Sequence, residues 1–281
     1  METSMRIFIC LFIVFILAPL PATAQRGDRK GHEMAEVWKD MDVPPAPALS
    51  EADALKSFKV APGFAIELVA GDDMLDNPVT VTWDGAGRMW VVEMVEFMPN
   101  VDGSNEDAKT GRISVLEDTN ADGRMDRKTV FLDKLEMPRA VAMVDGGVLV
   151  AEPPNLWYCK DTNGDLKCDE KKSVLNYAKQ GPVEHTDNAL MFAIDNWMYN
   201  AKSSRRFQFK DGKIIETATK GRGQWGMSMD NYGRLYYTTN SNWLHADWGT
   251  HNRRQPLGMR IWPTIHFGRQ AMQSEGELRT P

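Results

Sequence analysis

The sequence predicts an all-β, multi-blade propeller, and three observations carry that prediction. An acidic loop, Asp118-Thr-Asn120-Ala-Asp122-Gly123-Arg-Met-Asp126, recurs 43 residues on as Asp161-Thr-Asn163-Gly164-Asp165-Leu-Lys-Cys168-Asp169. The flanks of these loops, residues 113–116 and 129–132 around the first and 156–160 before the second, are β-branched or aromatic, so the loops belong to hairpins. Four stretches, 79–92, 140–150, 189–199 and 227–238, alternate apolar residues into a tight Asp/Gly/Asn turn and out again, as the inner hairpin of a propeller blade does. A strand-built repeat of this length is a propeller signature. No helical periodicity of comparable length interrupts it.

Taken in order, the chain opens with a secretory signal over 1–24. Arg6 is its basic start, 7–17 its apolar run and Ala22-Thr-Ala24 its cleavage site. That run is short for a bilayer and no later stretch is long enough, so no membrane span is expected after cleavage. An uncleaved N-terminal anchor is the alternative. The mature chain is thus expected to be periplasmic or secreted. Residues 25–48 form a linker that ends in the stiff Pro44-Pro-Ala-Pro47 run, and 49–281 form a partial propeller. Ser50-Glu-Ala-Asp53 starts a short helix that runs to about Phe58. Pro62-Gly63 ends it, and 64–70 alternates as a first strand. Four inner hairpins make about four blades, so the ring is incomplete. Either the chain is a fragment or it closes with another chain; the fragment is favoured, because an open propeller exposes sheet edges.

A net charge of −6 argues against nucleic acid as a partner. Cys10 lies in the signal, while Cys159 and Cys168 bracket the second acidic loop. In an oxidising compartment a Cys159–Cys168 disulfide would staple that loop shut; two free thiols are the alternative. No His or further Cys stands at zinc spacing, and no C-x-x-C-H offers a haem attachment. Asp118, Asn120, Asp122 and Asp126 in the first loop, and Asp161, Asn163, Asp165 and Asp169 in the second, place oxygens at positions that suit calcium. A metal-free turn is the competing reading, since Asp, Asn and Gly are also turn residues. The second loop lacks the glycine that the first has at Gly123.

Several motifs together resemble the glucose/sorbosone-dehydrogenase-like (quinoprotein-like) β-propellers, and among them a bacterial family of membrane-bound dehydrogenase or haem-binding domain proteins. The resemblance runs from about Ala48 to Arg279. It is carried by Ala61-Pro-Gly-Phe64, by Trp83-Asp84-Gly-Ala-Gly-Arg-Met-Trp-Val-Val-Glu93, by the two acidic loops and by residues 226–236, and it extends through 240–247 and 260–263. It implies a six-bladed-type propeller, of which this chain holds an N-terminal part. It also implies His185, within Glu184-His185-Thr-Asp187-Asn188, as the general base that takes a sugar hydroxyl proton. The family has Gly-Arg where this chain has Asn188-Ala189, so His185 is either that base or a channel-lining side chain. Arg222, Gln224 and Trp225 stand where those enzymes hold pyrroloquinoline quinone (PQQ), Arg222 on its carboxylates and Trp225 stacking. The family's Asn partner is missing, and a solvated Arg beside a core Trp is the alternative. His245 and His251, near Asp247, form a second polar cluster. Glu93 and Glu152 end inner strands at matching places. They either ring a channel mouth, as calcium ligands do in lactonase-type propellers, or cap strand ends in solvent or pair with neighbours such as Arg139.

The expectation is therefore the N-terminal part of a periplasmic sugar or polyol dehydrogenase that passes electrons to a cytochrome c-type acceptor. Two rivals stand beside it: a calcium-stabilised propeller that binds carbohydrate or protein without redox chemistry, and a lactonase-type calcium-dependent hydrolase.

Overall fold

The computed structural model describes residues 47–100, 104, 106–177, 186–239 and 244–247, with one further strand over 264–266. The segments expected to be a signal peptide and, nearly all of it, a linker lie outside the described residues. Among the described residues no helix is long and apolar enough to cross a membrane.

The expected helix is α1 (Glu51–Ser57), with Ser50 as its N-cap accepting the Asp53 N–H at 3.2 Å. Among the described residues, every regular element after it is a β-strand. Four four-stranded antiparallel meanders follow in propeller arrangement. Blade one is β1 (Pro78–Trp83), β2 (Met89–Glu93), β3 (Gly111–Glu117) and β4 (Arg127–Leu135). Blade two is β5 (Ala140–Val144), β6 (Gly147–Glu152), β7 (Asn155–Lys160) and β8 (Glu170–Asn176). Blade three is β9 (Asn188–Phe192), β10 (Met198–Ala201), β11 (Ser203–Lys210) and β12 (Lys213–Arg222). Blade four is β13 (Ser228–Met229), β14 (Leu235–Tyr237), β15 (His245–Asp247) and β16 (Thr264–His266). The strand expected over 64–70 joins none of these sheets; its link to blade one is the Val69 carbonyl, which accepts the Met125 N–H at 2.8 Å.

The core lies between blades, because each sheet has two apolar faces to cover. Trp90, Val92, Ile113, Val115 and Phe131 of blade one meet Val141, Val148, Val150 and Cys159 of blade two. Leu149 and Leu156 of blade two, with Tyr177 after it, meet Leu190, Met198 and Phe207 of blade three. Tyr199 and Ala193 carry the packing on to Leu235 of blade four. In the stretch 94–98, Met94 is core while Met98 is exposed.

In blades one, three and four, one carboxylate organises the turn that closes the inner hairpin. In blade one, Asp84 accepts the N–H groups of Ala86 and Arg88, the Arg88 guanidinium at 2.7 Å and the Trp90 indole N–H at 2.9 Å. In blade four, Asp230 accepts the N–H groups of Tyr232 and Arg234, the Arg234 guanidinium and the Tyr236 hydroxyl. Gly87 and Gly233 occupy the same left-handed position in these two turns, where a side chain would be strained. Blade three reaches the same backbone differently. Ala193, not Asp195, stands where Asp84 stands, and Asn196 takes the left-handed place at φ +62°. Asp195 then bonds the Trp197 N–H and the Tyr199 hydroxyl from inside the turn.

The two acidic loops share one folded form. Position one accepts the N–H of position six (Gly123 to Asp118, Leu166 to Asp161), and position three accepts that of position five. Position five accepts the next N–H but one, and the closing Asp126 or Asp169 takes the Thr119 or Thr162 hydroxyl. Both loops turn left-handed at positions four and six. The first puts Ala121 and Gly123 there and the second Gly164 and Leu166, so the missing glycine costs the second loop its ease and not its path.

Candidate functional site

The buried polar side chains of the described residues concentrate at one end of the blades, opposite the Asp turns. Glu93 ends β2, Arg139 precedes β5, and Thr186, Asp187 and Asn188 lead into β9. Asn200, Ser203 and Arg222 stand where β10, β11 and β12 meet at that end, and His245 opens β15. Ser114 and Asp247 sit one step further in and point back at this set, Ser114 to Glu93 and Asp247 to Arg222.

Several of these groups are fully engaged. Glu93 is wholly buried and takes Arg112 in a two-bond fork, Lys128, Ser114 and the Asp76 N–H. Burial pushes its pKa up, but those donors outweigh burial and hold the carboxyl below its ordinary value. Glu152 accepts the Glu136 N–H at 2.7 Å and the Trp157 indole at 2.6 Å, with Lys171 3.7 Å away. Glu93 and Glu152 pair with neighbours, Arg112 and Lys128 for the first and Lys171 for the second, and Glu93 does so wholly buried and not in solvent.

Arg222 does not present itself to a cofactor. Its Nε donates to Asp247 at 2.6 Å, its Nη1 to Thr219 Oγ1 and the Lys220 carbonyl, and its guanidinium lies 5.1 Å over the Tyr199 ring. Both partners of the pair are 7% exposed, so the charge that would meet quinone carboxylates is already compensated and buried. Gln224 offers its backbone carbonyl to the Asn188 Nδ2 at 2.8 Å, and the Gly226 N–H donates to the Asn188 Oδ1. Asn188 is therefore a latch on the turn that carries half-buried Trp225. The residues present here do not fit PQQ as the resemblance implied, and the reason is this local pairing. Asn188, where the family has glycine, is explained by the same latch. His245 stacks on Tyr237 with ring centroids 5.2 Å apart. His185 and His251 lie outside the described residues.

The side chains expected to hold calcium in the two loops take hydrogen bonds from their own loops. Asp118, Asn120, Asp122 and Asp126, and Asp161, Asn163, Asp165 and Asp169, accept from their own loops' N–H and hydroxyl groups. Among the described residues, no three His, Cys, Asp or Glu side chains gather as a metal site. The disulfide expected between Cys159 and Cys168 is not formed: both are free thiols. Cys159 is accommodated in the apolar seam between blades one and two, and the Cys168 thiol donates to the Glu170 carbonyl at 3.2 Å.

One group at the polar end remains open. Tyr177 is wholly buried, its hydroxyl bonds the Asn200 Nδ2 at 3.3 Å, and Asp187 is close enough to act on it electrostatically. Burial is the main reason the Tyr177 phenol is pushed up, and the Asp187 charge adds to it, so the hydroxyl keeps its proton. Among the described residues, Asp187 Oδ1 and Asn200 Oδ1 are buried and find no hydrogen-bond partner in the protein. Turning the Asn200 amide over would only exchange which of its polar atoms is left unpaired. Sequence reasoning quoted Asp187 within its motif and gave it no role, and it did not single out Tyr177 or Asn200. Their meaning comes from what is missing around them, which no local pattern encodes.

A family described as "Domain of unknown function (DUF7133)" matches residues 50–260. The chain belongs to that family. The DUF7133 match covers all four inner hairpins and both acidic loops, and it carries neither the membrane-bound nor the haem-binding part of the resemblance. No curated protein matches the chain. Among solved structures, the chain is similar to the PQQ domain of pyranose dehydrogenase from Coprinopsis cinerea, at 13% identity over 63% of this chain and 46% of that one, with a TM-score of 0.44. It is also similar to XC5397 from Xanthomonas campestris, a gluconolactonase, at 14% identity over 58% of this chain and 54% of that one, with a TM-score of 0.42. The chain thus spans about half the length of these solved structures.

Proposed function

We propose that the polar end of these blades is a binding mouth for a small polyhydroxylated molecule, a sugar or polyol. The observation that carries the reading is the pair of buried, unpartnered acceptors Asp187 Oδ1 and Asn200 Oδ1 beside the Tyr177 hydroxyl. Buried acceptors without donors are costly, and a ligand that brings donors would relieve both. Sugar hydroxyls are donors that tolerate a mixed apolar and polar wall, here Tyr177 and Leu190. A neighbouring carboxylate and carboxamide can grip two vicinal hydroxyls.

The dehydrogenase reading stays as the second one, because His185 lies two residues before Asp187 in the same lead-in to β9. In it, the His185 imidazole would supply the base for a ligand hydroxyl proton, while Arg222, paired with Asp247, would not hold a quinone. No calcium is part of either reading.

The test is a thermal melt of the full chain against glucose, galactose, sorbitol and inositol, with the wild type beside Asp187→Ala and Asn200→Ala. A ligand that binds only the folded state raises the melting temperature. The proposal expects a shift for at least one compound that both variants lose. No shift across the panel, or the same shift in both variants, contradicts it. Dye reduction with one of these compounds, abolished by His185→Ala, would promote the second reading.

A further inference from the structure

The acidic loop of blade one is seated by Leu116 and Met125, which meet in one apolar cluster with Val69 and Ala70. The corresponding residues of blade two, 43 positions on, are Cys159 and Cys168. From Ile113 and Leu156 onward the outer hairpins share one register: Leu116 pairs with Lys128 as Cys159 pairs with Lys171, and the Asp126 and Asp169 N–H groups donate to the Glu117 and Lys160 carbonyls at the same 2.9 Å. Even the anchoring bond is repeated. The Met125 N–H reaches Val69, and the Cys168 N–H reaches Phe131 of blade one, each at 2.8 Å.

Blade two has therefore put two thiols where an apolar contact would serve. Cys168 packs against the cluster that holds Cys159, and the Cys159 thiol is pushed up by burial and then by Cys168 beside it. We propose that Cys159 and Cys168 are an oxidisable dithiol, reduced in this structure, whose disulfide clasps the second acidic loop onto blade one. The more accessible Cys168, as thiolate, attacks a small-molecule or protein disulfide, and one thiol of that oxidant leaves. The Cys159 sulfur then displaces the second, so two protein thiols become one disulfide and the oxidant's disulfide becomes two thiols. Because Cys168 is bonded to Phe131 through its backbone, the new covalent link ties blade two's third strand to the edge of blade one.

The full chain treated with oxidised glutathione, then alkylated and digested, tests this. The expected product is a peptide pair, 159 joined to 168, that resists alkylation until dithiothreitol is added. The oxidised protein should melt above the reduced one. The Cys159→Leu/Cys168→Met variant, which installs blade one's own pair, should melt alike under both conditions. Alkylation of both thiols after oxidation, or glutathione remaining on Cys168, overturns the proposal. A cross-link that leaves the melting temperature unchanged overturns the clasp.

Discussion

The two ends of the blades use the same residue types in opposite ways. At the turn end, Asp84 and Asp230 each accept four hydrogen bonds, and nothing is left over for a ligand. At the other end, Glu93 is just as saturated and Arg222 is paired with Asp247, but Asp187 and Asn200 each keep an acceptor without a donor in the protein. A carboxylate's role is therefore read from its unspent hydrogen-bonding capacity and not from its place in a motif. Saturated groups hold the fold, and open groups are kept at the expense of stability for something outside it.

The largest effect that could break this contrast lies at Glu93. Its removal by Glu93→Ala leaves Arg112 and Lys128 facing a buried hole, and should cost about 3 kcal/mol in denaturant unfolding. A loss near zero would mean the saturated network is not structural. Next is Asn188→Ala, which unfastens the turn at Gln224 and Gly226 and should cost about 2 kcal/mol by the same measurement. Acid sharpens the same division. The folded-state pKa values of Glu93 and Asp84 are held below ordinary, and that of Asp230 falls to about 2. Their contribution is complete above the unfolded values and is lost as pH falls through the folded ones. A melt between neutral pH and pH about 2 should show stability declining through the acid range below the ordinary carboxylate pKa, and Glu93→Gln should flatten the decline. The smallest effect is at the acidic loops. Asp118→Ala should lower the melting temperature slightly, by the same amount in calcium and in EDTA, because Asp118 bonds its own loop.

Much of this was legible in the sequence. Alternation around Asp84, Asp145 and Asp230 marks the inner hairpins, and the 43-residue echo of the acidic loop marks the outer hairpins of blades one and two. The register of blade three was not legible, because Ala193 and Asn196 build the same turn as Asp84 and Gly87 with the carboxylate displaced. Residues 64–70 alternate like a strand but pair with no sheet, since alternation reports half-burial and not a partner. The site was harder still. Arg222 is consumed by Asp247, which lies 25 residues away, and spacing does not reveal such a pairing. Asp187 and Asn200 matter for bonds they do not make.

The central claim is tested most directly by urea unfolding of two carboxylate deletions, Asp84→Ala and Asp187→Ala, in the absence of ligand. The account predicts a loss of about 2 kcal/mol for Asp84→Ala, whose four donors are stranded, and no loss or a slight gain for Asp187→Ala. An equal loss in both would mean that Asp187 is satisfied after all and holds the fold, and the open mouth would fall with it.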